Sequence, residues 1–224
     1  VKTAPEHIKK YQSAWQTIGP IPKKAVDAIE KRFVSACKQV EKHYQNALLT
    51  EERQQLEQLK YKAELCQQLE RAGLNQEEVE KLHHQWQQLP PLIDSQLETT
   101  ISKRFQHASS AALARTSPPA DETALKLKET LCIRMEILAG IDSPPEAIEA
   151  RMAYQVARLS EAMSNGEKKF KNKRLEAQEI EQQWYLTAGN VEQSNLEARF
   201  QKACSAFYAQ HAHLGADNEV VVSE

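Results

Sequence analysis

A short basic segment near residue 170 carries side chains suited to binding phosphate groups. Within residues 168–174 five basic residues surround Phe170, namely Lys168, Lys169, Lys171, Lys173 and Arg174. Ammonium and guanidinium groups can neutralise the phosphates of RNA, and an aromatic ring can stack on a base. The alternative is a solvated helix face, because Glu176, Glu179 and Glu181 follow closely and offset the charge. Both interpretations are open at this point.

The remaining polar residues do not predict catalysis or ion binding. His83 and His84 cannot share a metal, since adjacent positions point to different faces of a helix, and His211-x-His213 lies where the helix is expected to fray. The six glycines form no phosphate-binding loop, and no Ser, His and Asp arrangement is recognisable. We therefore expect no catalytic, cofactor-binding or metal-binding residues, no small-molecule substrate and no enzymatic activity.

An arginine that directly precedes a phenylalanine recurs three times, each time downstream of a tryptophan. The sets are Trp15 with Arg32-Phe33, Trp86 with Arg104-Phe105, and Trp184 with Arg199-Phe200. The Trp-to-Phe separations of 18, 19 and 16 residues predict one unit used three times. The arginines could form a row of anion sites. A structural role beside the aromatic contact, including stacking on the indole, is favoured because they recur together with Trp and Phe.

Apolar spacing places the tryptophan and the phenylalanine of each copy on separate helices. Apolar residues recur three and four positions from each tryptophan, as Tyr11 and Ile18 do in the first copy. Breakers end these helices: Gly19-Pro20, Pro90-Pro91 and Gly189-Asn190. Two helices joined by a short turn predict a hairpin in which each tryptophan is substantially buried against its phenylalanine.

Connecting helices precede the second and third copies. The sequence Lys60-x-Lys62-x-x-Leu65-Cys66 matches Lys126-x-Lys128-x-x-Leu131-Cys132. Residues 25–72 contain neither Gly nor Pro, so the first Arg-Phe helix either continues into its connector or breaks at Thr50, which could cap a new helix. Continuity is favoured. Such a helix would span about 70 Å, which predicts an elongated molecule.

Two further helix starts carry capping signals. Asn75 is followed three residues later by Glu78, which predicts a capping box. Ser143 precedes Pro144-Pro145 and predicts the N-cap of an additional helix that ends near Gly166.

Composition indicates a helical chain of nearly balanced charge. Its 224 residues include 29 Lys and Arg against 31 Asp and Glu, a net charge of −2, which gives no overall attraction to nucleic acid or anionic membranes. No apolar run approaches the ~20 residues of a membrane span, so no membrane partner is expected. The four cysteines are expected to be buried free thiols in a reducing compartment. Because the first residue is Val1, we expect a fragment of a longer protein.

The first copy resembles a bacterial protein family called domain of unknown function 349. The resemblance rests on Tyr11-Gln-Ser-Ala-Trp15-Gln-Thr-Ile18-Gly19-Pro20-Ile-Pro22, followed by Arg32-Phe33. The second copy lacks the glycine, and the third keeps Gly189 without the prolines. The resemblance extends over residues 5–212 and implies a bacterial, cytoplasmic, all-helical protein with tandem copies. It implies no particular activity.

Together these patterns predict an all-α protein of tandem antiparallel helical hairpins with long, coiled-coil-like helices. The expected ranges are a first helical repeat at 1–50, a connector helix and second repeat at 51–113, a linker at 114–120, connector helices and the third repeat at 121–212, and a disordered tail at 213–224. We expect a cytoplasmic binding or scaffold protein that acts through protein–protein contacts. The alternative is association with RNA or the ribosome through residues 168–174.

Overall fold

A computed structural model of the chain describes residues 3–19, 23–71, 73–114, 122–164, 172–189 and 195–211. Regular structure within these ranges is entirely helical, which confirms the predicted all-α fold class. The helices are α1 (Ala4–Thr17), α2 (Lys23–Leu69), α3 (Gln76–Gln87), α4 (Ser95–Leu113), α5 (Glu122–Leu138), α6 (Ile148–Ser164), α7 (Lys173–Leu186) and α8 (Leu196–Gln210). A short 3-10 helix, Pro145–Ala147, directly precedes α6.

The described chain forms two compact units. The first ends at Gln54 and contains α1 with the adjoining part of α2, which together form the first hairpin. The second is Gln55–His211 and contains the end of α2 and helices α3 to α8. The predicted linker 114–120 begins where α4 ends and otherwise lies outside the described residues, as does the predicted tail 213–224.

Helix α2 passes the position of the possible break without interruption. The Thr50 hydroxyl caps no new helix, because it donates a 2.8 Å hydrogen bond to the Asn46 carbonyl of the same helix. The 47 residues of α2 correspond to a length of about 70 Å at 1.5 Å per residue. Of the two alternatives open from the sequence, the continuous helix is the one observed.

The start of α3 has the predicted capping box. The Asn75 side-chain oxygen accepts a 2.9 Å hydrogen bond from the Glu78 N–H. In return, the Glu78 carboxylate accepts a 2.8 Å bond from the Asn75 N–H. Just upstream, Gly73 has a φ of 88°, a left-handed conformation that favours glycine and turns the chain from α2 into α3.

The prediction that Ser143 caps the additional helix is wrong. That helix begins as the 3-10 turn, and Pro144 occupies the N-cap position. The Ser143 hydroxyl instead donates a hydrogen bond to Glu136 and accepts one from Arg151 at 3.0 Å. Its oxygen is therefore engaged by a guanidinium rather than by a backbone N–H at the helix start.

The second and third repeats share one core within the second unit. Helix α5 packs against α7 and α8, and α4 contacts both α3 and α7. The connector residues Leu65, Cys66, Leu131 and Cys132 are at most 1% exposed and belong to this core. None of the described helices combines the length and apolar character needed to cross a membrane.

Proline at position 51 distinguishes a continuous α2 from two helices that meet at Thr50. Proline is tolerated at the first position of a helix, but in the interior it removes a hydrogen bond and costs about 3 kcal/mol. We expect Glu51→Pro to accelerate amide hydrogen exchange across residues 47–55, measured by mass spectrometry, whereas Glu51→Ala does not. Equal protection in the two variants would contradict a continuous helix.

Candidate binding surface

Each tryptophan stacks on the phenylalanine of the following helix, as the repeat predicts. The ring centroids are 4.3 Å apart for Trp15–Phe33, 4.1 Å for Trp86–Phe105 and 3.9 Å for Trp184–Phe200. The two ring planes are within 20° of parallel in every pair. None of the three tryptophans is fully exposed, as predicted, but the extent of burial differs: Trp184 is fully buried, whereas Trp15 and Trp86 are half-buried.

A connector lysine covers the ring stack in both repeats of the second unit. The Lys62 ammonium lies 4.9 Å from the centroid of the Trp86 ring, and the Lys128 ammonium lies 5.1 Å from that of Trp184. Both lysines are almost completely buried, and these distances allow cation–π attraction. In these repeats the cation over the indole is a lysine, so the predicted stacking of the arginine on the indole is wrong.

The recurring arginine is instead held by a buried glutamate of the connector. Arg104 donates through Nε and Nη2 to the two carboxylate oxygens of Glu70, at 2.8 and 2.9 Å. Arg199 makes the same bidentate pair with Glu136, at 3.0 and 3.1 Å. Each of these two guanidinium groups therefore binds a carboxylate of the chain itself. Arg104 and Arg199 therefore fix a connector to its hairpin, which agrees with the structural role favoured from the sequence for these two, whereas Arg32 of the first copy is exposed.

The two glutamates belong to a motif that sequence reasoning saw only in part. Residues 62–70 and 128–136 are related by a constant offset of 66, which aligns Lys62 with Lys128 and Glu70 with Glu136. We call the shared pattern the connector motif: Lys, then Leu-Cys at +3 and +4, Leu or Met at +7, and Glu at +8. The sequence comparison of the connectors ended at Cys66 and Cys132 and so did not include the glutamates four residues further on.

Lys128 is a buried cation without an ion-pair partner at its tip. Its Nζ has no hydrogen-bond partner in the described part of the chain. Burial, reinforced by the nearby Arg104 charge, lowers the pKa of Lys128 from 10.5 to about 8, although Glu197 and Glu70 oppose this shift. Burial of this ammonium therefore reduces the stability of the folded chain, which an exposed lysine would not do.

Lys62 differs because a carboxylate reaches it. The Glu98 oxygens accept hydrogen bonds from the Lys62 Nζ at 2.7 and 2.6 Å. Burial alone would raise the pKa of Glu98, but the Leu92 N–H and Lys62 hold it below its usual range. The second repeat thus has an ion pair above its indole, in addition to the Arg104–Glu70 pair.

The first hairpin exposes repeat positions that are buried in the other two copies. Four residues before the tryptophan and four before the phenylalanine, the second unit has apolar residues that are at most 6% exposed: Leu82, Ile101, Ile180 and Leu196. The first copy has Tyr11 and Ile29 at these positions, 61% and 39% exposed. Arg32 is exposed as well, whereas Arg104 is buried. No helix carrying the connector motif lies against this hairpin in the described first unit.

An open groove of about 680 Å³ runs along this uncovered face. Its lining includes Trp15, Ile29, Arg32, Phe33 and Ala36, and we call it the first-hairpin groove. Ala36 is exposed, although the equivalent alanines of the second unit, Ala108 and Ala203, are buried. The groove therefore includes side chains at positions that the second copy buries, such as Ile29, Phe33 and Ala36, beside the polar Lys31, Ser35 and Gln39.

The cysteines of the first hairpin and of the second unit also differ in burial. Cys66, Cys132 and Cys204 are buried free thiols, and burial raises the pKa of the first two to about 12. Cys37 is a free thiol that is only half-buried. It follows Phe33 by four residues, as Cys204 follows Phe200. The accessibility of the Cys37 thiol therefore indicates whether the first hairpin is covered.

A second apolar surface lies on α6. Ile148, Met152, Val156, Leu159 and Met163 are spaced three or four residues apart and are 46–84% exposed. This spacing places them on one helix face. On the same helix, Arg158 makes a 3.3 Å ion pair with the buried Glu176 of α7. We call this surface the α6 stripe.

The basic segment is only partly described. Lys168, Lys169 and Lys171 lie outside the described residues, whereas Lys173 is exposed and Arg174 half-buried at the start of α7. The carboxylates expected to offset this charge are not all at the surface. Glu176 and Glu181 are each 5% exposed, and Glu181 accepts a 2.6 Å hydrogen bond from the Tyr208 hydroxyl. The helix downstream of the segment therefore does not present these carboxylates on a fully solvated face.

The other residues singled out in the sequence have local structural roles. Gly19 follows α1, and Pro20 lies outside the described residues. Gly189 has a φ of 136°, and its N–H donates to Glu70 at 3.4 Å. His83 shares a hydrogen bond with Ser109, and His211 one of 2.8 Å with the Phe207 carbonyl. Within the described ranges, no three His, Cys, Asp or Glu residues are grouped to hold a metal ion.

No family model, curated protein or solved structure matches this chain. The comparisons therefore add no relative from which a function could be transferred. The resemblance to domain of unknown function 349 stays a prediction, and the functional argument rests on the geometry described above.

Removal of the recurring arginine should lower the free energy of unfolding substantially only in a copy where a connector glutamate pairs with it. Arg104→Met leaves the Glu70 carboxylate buried without its partner, which should lower the free energy of unfolding by about 3–5 kcal/mol. Arg32→Met removes an exposed side chain and should change it by no more than about 0.5 kcal/mol. Urea denaturation of the full chain measures both. Similar losses in the two variants would contradict the difference between the copies.

The buried Lys128 should make stability depend on pH in the alkaline range. Between its folded pKa of about 8 and the ordinary value of 10.5, the unfolded chain holds a proton that the folded chain has released. This group therefore raises the free energy of unfolding with pH, by up to about 3 kcal/mol over that window. We expect Lys128→Met to be more stable than the natural chain at pH 7, and the difference to shrink towards pH 10.

Urea denaturation at a series of pH values measures this difference. Lys126→Met is the matched control, because Lys126 lies on the same helix with a side chain that is 70% exposed. A gap between Lys128→Met and the natural chain that stays constant from pH 7 to pH 10 would contradict a buried ammonium.

Proposed function

We propose that this chain is a non-enzymatic helical-repeat protein that binds another protein through the first-hairpin groove. The observation that carries the proposal is that repeat positions covered by a connector in the second unit are open in the first. Exposed apolar patches rimmed by polar residues are typical of protein-binding sites. Trp, Tyr and Arg contribute most of the binding energy at such sites, and this face presents Trp15, Tyr11 and Arg32.

The α6 stripe supports a scaffold role in addition. It belongs to the second unit, and its five apolar side chains are separate from the residues of the first-hairpin groove. Two independent apolar surfaces on one chain would allow two partners to be held at once. Under this proposal the second and third repeats form the stable body, and the exposed helix faces provide the contacts.

The proposed setting is the bacterial cytoplasm. The resemblance of the first copy to a bacterial family supports the source, and the free cysteines support a reducing compartment. Cys66, Cys132 and Cys204 are buried as thiols in three different helices.

Binding of RNA or the ribosome through residues 168–174 is the second candidate function. One structural observation favours it: Glu176 and Glu181 are buried and hydrogen-bonded to Arg158 and Tyr208, so they form no exposed acidic surface that would repel phosphate beside the basic residues. Lys173 is exposed at the start of α7. The near-zero net charge of the chain speaks for the protein-binding function instead.

A single substitution in the groove tests the proposed function. Trp15→Ala removes one ring of the half-buried stack and should lower the free energy of unfolding by about 2–3 kcal/mol, through lost apolar burial and lost ring stacking. Full-length protein would be immobilised and exposed to nuclease-treated lysate of the source cells, and the retained proteins identified by mass spectrometry. We expect a specific set of proteins that Trp15→Ala loses. Ile93→Ala, which changes a residue 64% exposed in the second unit, should keep them.

Two results would contradict the proposal. Retention that is unchanged by Trp15→Ala but lost with Val156→Ser would move the binding surface to the α6 stripe. Retention of RNA without nuclease, falling steeply with salt and lost when Lys168, Lys169 and Lys171 are changed to alanine, would favour the second candidate, because each neutralised phosphate releases counterions.

A further inference from the structure

The connectors show what kind of helix covers a Trp–Phe stack in this fold. Positions 0, +3, +4, +7 and +8 of the connector motif fall on one helix face. In both copies Leu-Cys at +3 and +4 is buried, with Lys over the indole at one end and Glu on the arginine at the other. The same geometry therefore occurs twice, with independent residues.

The first hairpin has the residues that receive such a helix. Trp15 occupies the position that the connector lysine covers in the other copies, and Arg32 the position that the connector glutamate binds. The apolar positions between them are open, including Ile29 and Ala36. A glutamate brought to Arg32 would satisfy the charge of this side chain in the same bidentate way as Glu70 satisfies Arg104.

We propose that the occupant of the first-hairpin groove is an amphipathic helix of a partner protein that carries the connector motif, with its Lys over Trp15 and its Glu on Arg32. This inference rests on the proposed function and specifies its partner. The Lys-to-Glu spacing of eight residues determines which end of the partner helix lies at which end of the groove. The partner helix completes a three-helix unit like the two that the chain builds for itself.

The chain supplies its own probe for a direct test. A fluorescently labelled peptide of residues 122–141, with Cys132→Ser so that it carries no thiol, presents the connector motif of α5. A peptide of residues 55–71, with Cys66→Ser for the same reason, presents the other copy. Each is titrated against the full chain by fluorescence anisotropy, and alkylation of Cys37 is followed by mass spectrometry. We expect saturable binding of at least one peptide and at least about tenfold slower alkylation of Cys37 when it is bound.

The register is tested by removing each charge of the proposed pair. Loss of one partner of a desolvated, hydrogen-bonded charge pair should weaken binding at least about 30-fold. We expect this loss for Arg32→Gln in the chain and for Glu136→Gln in the peptide, with little further loss when the two changes are combined. Lys38→Gln is the matched control, because it removes one positive charge from an exposed position of the same helix and should leave the affinity unchanged.

The outcomes separate this inference from the proposed function. Binding that is insensitive to Arg32→Gln and Glu136→Gln would overturn the connector register while the groove remained a protein-binding surface. Failure of both peptides to bind, with lysate proteins still retained in a Trp15-dependent way, would overturn the proposed occupant alone. Concentration-dependent dimerisation of the full chain, seen by sedimentation and protecting Cys37, would identify a second copy as the occupant and would also overturn it.

Discussion

Coverage of the Trp–Phe stack by a third helix is the constraint on which the complete repeats depend. Two helices can bring the rings together, as all three hairpins do, but one apolar side of the pair then remains in water. In the second unit the connector removes that side from water and adds a cation above the indole. Phe33 of the uncovered first copy is only half-buried, whereas Phe105 and Phe200, whose hairpins are covered by a connector, are buried.

The charged pairs of the connector contribute more to register than to stability. A buried ion pair recovers little more than the cost of desolvating its members, yet it strongly disfavours any arrangement that leaves one member unpaired. Glu70 and Glu136 can each meet their arginine in one alignment of connector and hairpin. The apolar positions Leu65-Cys66 and Leu131-Cys132 then supply the burial that the aligned helices share.

The architecture could largely be predicted from the sequence, because helix periodicity, caps and breakers are local signals. The Trp–Phe pairing and the capping box at Asn75 are of this kind. The pairing of Arg104 with Glu70 was not predicted, because the two residues are 34 positions apart and their partnership is a property of packing. Ser143 was misjudged because Glu136 of the preceding helix and Arg151 of the following helix engage its hydroxyl, and this contact depends on how the two helices pack.

The candidate binding surface could not be predicted from the sequence for a different reason. The three copies look alike in sequence, and nothing in the spacing of Trp15 and Phe33 shows that their hairpin is uncovered. The likeness of residues 60–66 to residues 126–132 was visible, but it gained meaning only when the connector proved to be the third helix of the unit. The exposure of Tyr11, Ile29 and Arg32 then indicates an open site, because a third helix covers the equivalent surface in the other copies.

Thiol alkylation of the native full chain tests this account most directly. Cys37 lies in the open first hairpin, whereas Cys66, Cys132 and Cys204 are buried within the covered repeats. The account predicts that Cys37 reacts under native conditions while the other three react only when the chain is unfolded. Protection of Cys37 equal to that of Cys204 in the free, monomeric chain would show that the first hairpin is already covered and would contradict the central claim.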